Sequence, residues 1–157
     1  MTIYEKICKY EDDRDMVLSE SDKWIEEIKN NGESIENYKA LAHVYYLREI
    51  YIFNCVDAEK ACAYFAMIPI RYYGYDLLEE YIVALKFCYH FKDFIELSKQ
   101  ILKCEERIAV RYLVLRELVD SSIVADGVMT KEEYRKYKKQ LVELLEKEKN
   151  RINSIIP

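Results

Sequence analysis

Glycine and proline are scarce in this sequence, with three Gly and two Pro in 157 residues. Sandwiches and barrels need turn residues every ten or so positions, so this composition excludes them and leaves long helices joined by short connections. No apolar run reaches the roughly 18 residues of a membrane span. The longest candidate, VYYLREIYIFNCV, is broken by Arg48 and Glu49. The opening MTIYEKICKYEDDRD has no apolar core of signal-peptide type and turns acidic at once. A cytoplasmic protein with no membrane segment is therefore expected. The five cysteines are odd in number and form no C-x-x-C, which argues against a disulfide framework or a zinc knuckle. Most lie in apolar helical stretches, where a reduced Cys packs as a small hydrophobe.

What is present points to a folded chain. Hydrophobic residues make up 51% and charged residues 34%, a globular rather than a disordered balance. The length suits one contiguous core, and no Pro/Gly/Ser-rich linker interrupts it, so a single domain over 1–157 is expected. The net charge of -5 disfavours nucleic-acid partners. Charge is unevenly spread: residues 1–36 carry 11 acidic and 5 basic side chains, whereas residues 131–151 carry 5 acidic and 8 basic ones. Opposite ends of this kind permit a homodimer in which acidic start meets basic end, within a screening length of about 8 Å at physiological salt.

Helix punctuation divides the chain. Ser21 and Asp22 are candidate caps of a helix carrying Trp24, Ile25 and Ile28, which stops at Asn30-Asn31-Gly32. Ser34 caps a long helix over 35–53, whose apolar Leu41, Val44, Tyr45, Leu47 and Ile52 recur at helical spacing. Asp57 is read as the cap of the next, which Pro69 ends; Gly74 precedes a helix over 75–90; Asp93 caps another reaching Cys104. Two further helices are placed at 106–124 and 131–153. The expectation is an all-α fold of about eight helices in four antiparallel pairs.

A shift of 36 residues aligns the middle of the chain with itself. It places Tyr45 on Tyr81, Phe53 on Tyr89, Asp57 on Asp93 and Phe65 on Ile101. The best unit is YIVALKFCYHFKDFIELSKQILKC, with Tyr81, Ala84, Leu85 and Cys88 on its first helix, KDF at the turn, and Leu97, Ile101 and Cys104 on its second. Over residues 38–105 this pattern resembles the tetratricopeptide (TPR) repeat family. Arg48 and Glu49 depart from it, since the family keeps apolar and small residues there. The resemblance implies a right-handed solenoid of helix pairs; a compact helical bundle accounts for much of the same pattern. It also implies that first-helix residues line a concave face: His43, Tyr46, Ile50, Phe53 and Asn54, then Glu79, Ile82, Lys86, Tyr89 and His90.

Other chemistry fails on residue types. VADGVMTKEEY resembles the second half of a calcium loop, with Gly127 at loop position 6 and Glu133 at 12. Positions 1 and 3 then fall on Ser122 and Val124, so half the carboxylates are missing. Thr130 and Glu133 read instead as a capping box. Neither His43 nor His90 belongs to an H-E-x-x-H or has carboxylates at ligand spacing, so no metal is expected. Each histidine fits a groove contact or a half-buried helix position equally well. Cys88 and His90 stand at i and i+2, which on a helix face apart. No G-x-S-x-G or phosphate-binding glycine loop occurs, and no cofactor is implied. Arg135, Lys136, Lys138 and Lys139 are interleaved with Tyr134 and Tyr137, but acidic neighbours at i,i+4 mark a solvated helix face.

Tyrosine is abundant: 15, against 5 Phe and 1 Trp. A buried Tyr needs a partner for its hydroxyl, so the residue favours surfaces with one dry and one wet side. A binding groove has that character; a compositional bias of the genome raises Tyr as well. Together these features imply a non-enzymatic protein-interaction module, an adaptor, a chaperone or an inhibitor or immunity-type protein of a bacterium or phage. Its partner would be another protein or a peptide; a self-associating structural protein is the alternative, and an enzyme with no recognisable motif is the third reading.

Overall fold

The computed structural model describes residues 1–120 and 127–155. Among these residues the chain forms eight α-helices and no strand: α1 Ile3–Lys9, α2 Arg14–Asn30, α3 Ile35–Ile52, α4 Cys55–Ala66, α5 Tyr75–Phe87, α6 Phe91–Cys104, α7 Ile108–Leu118 and α8 Lys131–Ile155, with a 3-10 turn at Ile70–Tyr72. The all-α class is as expected. No helix is long and apolar enough to cross a membrane among the described residues. Contacts group the chain into two compact units, Met1–His90 and Phe91–Pro157. The division falls in the turn between α5 and α6, where no linker composition marks it.

Caps set the helix boundaries. Ser34 accepts from the Asn37 amide at 3.1 Å and starts α3. Thr130 and Glu133 form the expected capping box at the start of α8, with Glu133 N donating to Thr130 Oγ1 at 3.1 Å and Thr130 N to Glu133 Oε2 at 3.0 Å. The other half of the calcium-like loop, Ser122, Val124 and Asp126, lies outside the described residues. Several boundaries differ from the sequence reading: α5 stops at Phe87, α6 starts at Phe91 so that Asp93 stands inside its first turn and not at its cap, α7 covers only Ile108–Leu118, and the starts of α2 and α4 move. Helix α2 begins at Arg14, because Asp13 Oδ1 accepts from Met16 N at 3.0 Å. Ser21 is then a buried mid-helix residue on the stripe Val17, Ser21, Trp24 and Ile28. Asn54, not Asp57, caps α4, its Oδ1 accepting from Val56 N at 2.9 Å. Phe53 and Tyr89, the residues that the 36-residue shift superimposes, both take left-handed backbone angles, φ 56° and 57°. A side chain there costs about 1–2 kcal/mol, and both rings are well exposed.

In unit 1, α3 packs against α1, α2, α4 and α5, and α4 against α5. Trp24, Ile28, Val44, Phe65 and Leu78 fill the core. Tyrosine contributes to it: Tyr73 is buried and its hydroxyl donates to the Phe65 carbonyl, while Tyr81 stacks on Phe65 at 5.0 Å between centroids. Part of the tyrosine excess is thus core packing with the hydroxyl satisfied. In unit 2, α7 packs against α6 and α8, over Phe94, Ile101, Leu113 and Tyr137.

Arg48 and Glu49, the departures from the repeat pattern, are half-buried and buried. Arg48 bridges three helices of unit 1, pairing with Asp22 on α2 and donating from Nε to Asp57 Oδ2 on α4 at 3.2 Å. Asp57 is only 2% exposed. Arg48→Ala leaves that carboxylate buried without its cation and is expected to destabilise unit 1 by roughly 3 kcal/mol. Removing both charges, as Arg48→Met with Asp57→Leu, should cost less than the single change; urea denaturation followed by circular dichroism measures the difference.

Candidate functional site

A pocket of about 300 Å³ opens in unit 1 between α3, α5 and the turn after α1. Helix α3 supplies His43, Tyr46, Leu47, Ile50 and Tyr51, which helical spacing of three and four brings to one face. Helix α5 supplies Asp76, Glu79, Glu80 and Val83 by the same spacing, and the turn adds Glu11 and Asp12. Five carboxylates therefore line the pocket, with no Lys or Arg among its lining residues. Low-dielectric walls focus such a field. Its effect registers on Tyr46, whose phenol is pushed up to about 12 by burial and by the nearby charges of Glu80, Glu49 and Glu79. The Tyr51 hydroxyl donates to the Glu11 carbonyl at 2.6 Å and holds the turn against α3.

His43 forms the floor, 1% exposed. Its Nδ1 lies 2.9 Å from Glu80 Oε2, which ties α3 to α5. Its Nε2 lies 3.2 Å from Glu11 Oε2, yet no acceptor meets it in hydrogen-bonding alignment among the described residues. Tyr4 of α1 packs edge-on against the ring at 5.5 Å between centroids, and the Cys8 thiol reaches both His43 and Tyr4. Burial alone would lower the imidazole pKa. The neighbouring Cys8 thiol and the Glu80 carboxylate overturn that effect and push it up to about 10. The donor atoms of Cys8, Glu11 and His43 all fall within 4.8 Å of one another.

Four of the expected groove residues meet here: His43, Tyr46, Ile50 and Glu79. Ile82 does not line the groove; it is 1% exposed and belongs to the core stripe Leu78, Tyr81, Ile82 and Leu85. On α5 the open face runs through 76, 79, 80 and 83, one position away from the face the repeat frame assigns. The remaining five stand elsewhere. Phe53 is exposed at the end of α3 and Asn54 is spent on capping α4. Lys86, Tyr89 and His90 lie at the end of α5, outside this pocket's lining. The sequence reading missed Cys8, Glu11, Asp12, Asp76 and Glu80. Their only signal was the acidity of the first 36 residues and the doubled Glu79-Glu80.

A second group of donors forms at that end of unit 1. Helix α5 stops at Phe87, and the left-handed Tyr89 turns the chain, so Cys88 and His90 converge instead of facing apart. The donor atoms of Glu59, Cys88 and His90 lie within 4.8 Å of one another, with His90 Nε2 2.9 Å from both Glu59 oxygens. The Cys62 thiol is hydrogen-bonded to Cys88. In unit 2 a pocket of about 520 Å³ is lined by Lys99, Lys103, Arg111 and Lys136, with Glu133 paired to Lys99 at 3.5 Å. Arg111 there is committed to the carbonyls of Leu102 and Glu105.

No protein-family model matches the chain, and no curated protein or solved structure matches it. The site therefore rests on its own chemistry. Its thiols offer a direct check. Burial raises the Cys62 thiol, and burial with the Glu59 charge pushes Cys88 up to about 11. Cys55 and Cys104 are exposed. Native alkylation with iodoacetamide at neutral pH is expected to label Cys55 and Cys104 first and Cys62 at least about a hundredfold more slowly, because the thiolate is the nucleophile; peptide mass spectrometry gives the order.

Proposed function

We propose that the chain is a non-enzymatic protein-interaction module whose unit 1 pocket receives a Lys or Arg side chain from a partner protein or peptide. One observation carries this reading: five carboxylates converge on a Tyr-lined pocket whose lining holds no Lys or Arg, and its one imidazole, His43, is already paired with Glu80 at the floor. An ammonium or guanidinium group would find charge-assisted acceptors at Asp76 and Glu79, each such bond worth about 1.5–3 kcal/mol. The rings of Tyr46 and Tyr51 would cover the aliphatic stem and add about 0.5–2 kcal/mol of cation–π attraction. The resemblance to tetratricopeptide repeats agrees in kind, though fold analogy does not assign a function. Such a pocket is compatible with an adaptor, a chaperone or an inhibitor-type protein.

Fluorescence anisotropy with labelled peptide pools tests the reading. Pools bearing Lys or Arg should bind, and pools with norleucine or citrulline in their place should not. Asp76→Asn with Glu79→Gln should weaken binding tenfold or more, and added salt should weaken it further. Equal retention of basic and neutral pools would remove the reading.

Self-association is a second reading with its own observation. Helix α8 exposes Val142, Leu145, Ile152 and Ile155, spaced three, seven and three residues apart along one stripe. A homodimer through that stripe is held by apolar burial, not by the opposed end charges. Its mass by light scattering should stay dimeric as salt rises and fall to monomer in Leu145→Glu/Ile152→Glu.

A further inference from the structure

We propose that Cys8, Glu11 and His43 form a binding site for a zinc ion, with Glu80 as the residue that orients the histidine. The donor set is one thiol sulfur, one carboxylate oxygen and one imidazole nitrogen, within 4.8 Å of one another. Mixed S, N and O donors suit zinc and other borderline transition ions; magnesium and calcium take oxygen.

Three features make this more than a chance cluster. First, Nε2 of a fully buried imidazole lies beside Cys8 and Glu11 and has no aligned hydrogen-bond acceptor among the described residues. Such an atom ordinarily finds a partner, and a metal ion would supply one. Second, the other ring nitrogen is held by Glu80 at 2.9 Å. A carboxylate on the far nitrogen is the usual support of a metal-bound histidine: it fixes the ring and raises its donor strength. Third, Glu11 and His43 line the pocket, so a fourth coordination position faces open volume, as in zinc sites with three protein ligands and a water.

The geometry needs little adjustment. Zinc bonds of about 2.0–2.3 Å place tetrahedral donors roughly 3.3–3.8 Å apart. Nε2 and Glu11 Oε2 are 3.2 Å apart, and the Glu11 side chain is 44% exposed and free to adjust. On binding, the Cys8 thiol and the His43 imidazolium each release one proton to solvent, so sulfur coordinates as thiolate and Nε2 as a neutral imidazole nitrogen. The rim carboxylates Asp12, Asp76 and Glu79 are left out of the coordination. Zinc binding therefore stands or falls separately from recognition of a basic side chain.

The test uses the full chain, reduced and stripped with chelator, and the metals alone. Zinc is titrated in competition with a chromophoric chelator, and cobalt reports the donors through its thiolate charge-transfer band. One equivalent of zinc and one cobalt–thiolate band are expected in the wild type. Cys8→Ser should abolish the band and weaken zinc about a hundredfold. Glu80→Gln should keep the band and weaken zinc about tenfold, at an unchanged helical content. Cys88→Ser should alter neither. His43→Ala removes a core side chain, so Cys8→Ser and Glu80→Gln are the deciding variants. Absence of any stoichiometric zinc binding, zinc affinity indifferent to Cys8→Ser, or a band lost in Cys88→Ser would each overturn the proposal, the last by moving the metal to the Glu59 cluster.

Discussion

The side chain of His43 sits where four segments of unit 1 meet. Glu80 holds Nδ1 of the ring from α5, Tyr4 and Cys8 approach from α1, and Glu11 closes the turn beyond it. An imidazole so enclosed satisfies little from water, so its neighbours must supply what solvent does not. That requirement fixes the register of α3 against α5. It also draws anionic groups towards one point, which is the origin of the pocket's negative field. Packing and electrostatics at this place are the same set of contacts.

A second polar tie works further along α3, where Arg48 spans α2 and α4 through Asp22 and Asp57. Buried ion pairs contribute little net stability, yet they penalise arrangements that separate their partners. Such pairs add to the apolar core a restriction on which helices meet. Arg48 and Glu49, which look like defects against an apolar repeat pattern, are buried polar positions, and Arg48 has this role.

How far the sequence exposed this arrangement depended on distance along the chain. Local signals served well. Ser34 and the Thr130/Glu133 box announced their helices, because a cap bonds amides only two or three residues away. The start of α2 was hidden inside EDDRD, where several acids compete for the cap and only Asp13 is placed to take it. On α3 the residues implied by the repeat resemblance, His43, Tyr46 and Ile50, do share one helical face and line the pocket. The α5 face was not legible, since Glu79, Ile82 and Lys86 depend on a rotation set by neighbouring helices, and a one-residue error exchanges a core residue for a lining one. Cys8 and Glu80 could not be joined to His43 from sequence. They lie 35 and 37 positions away, and only the packed helices bring them together.

Trp24 is the sole tryptophan and lies buried in the core of unit 1. The indole emission of this protein is thereby a private reporter of one half of the chain. The peptide absorbance of the helices sums over both units. Where the two optical signals change together, the units melt as one cooperative block; where indole emission departs from the helical signal, they melt separately. The placement of a single aromatic ring thus makes the independence of the two units readable without any added label.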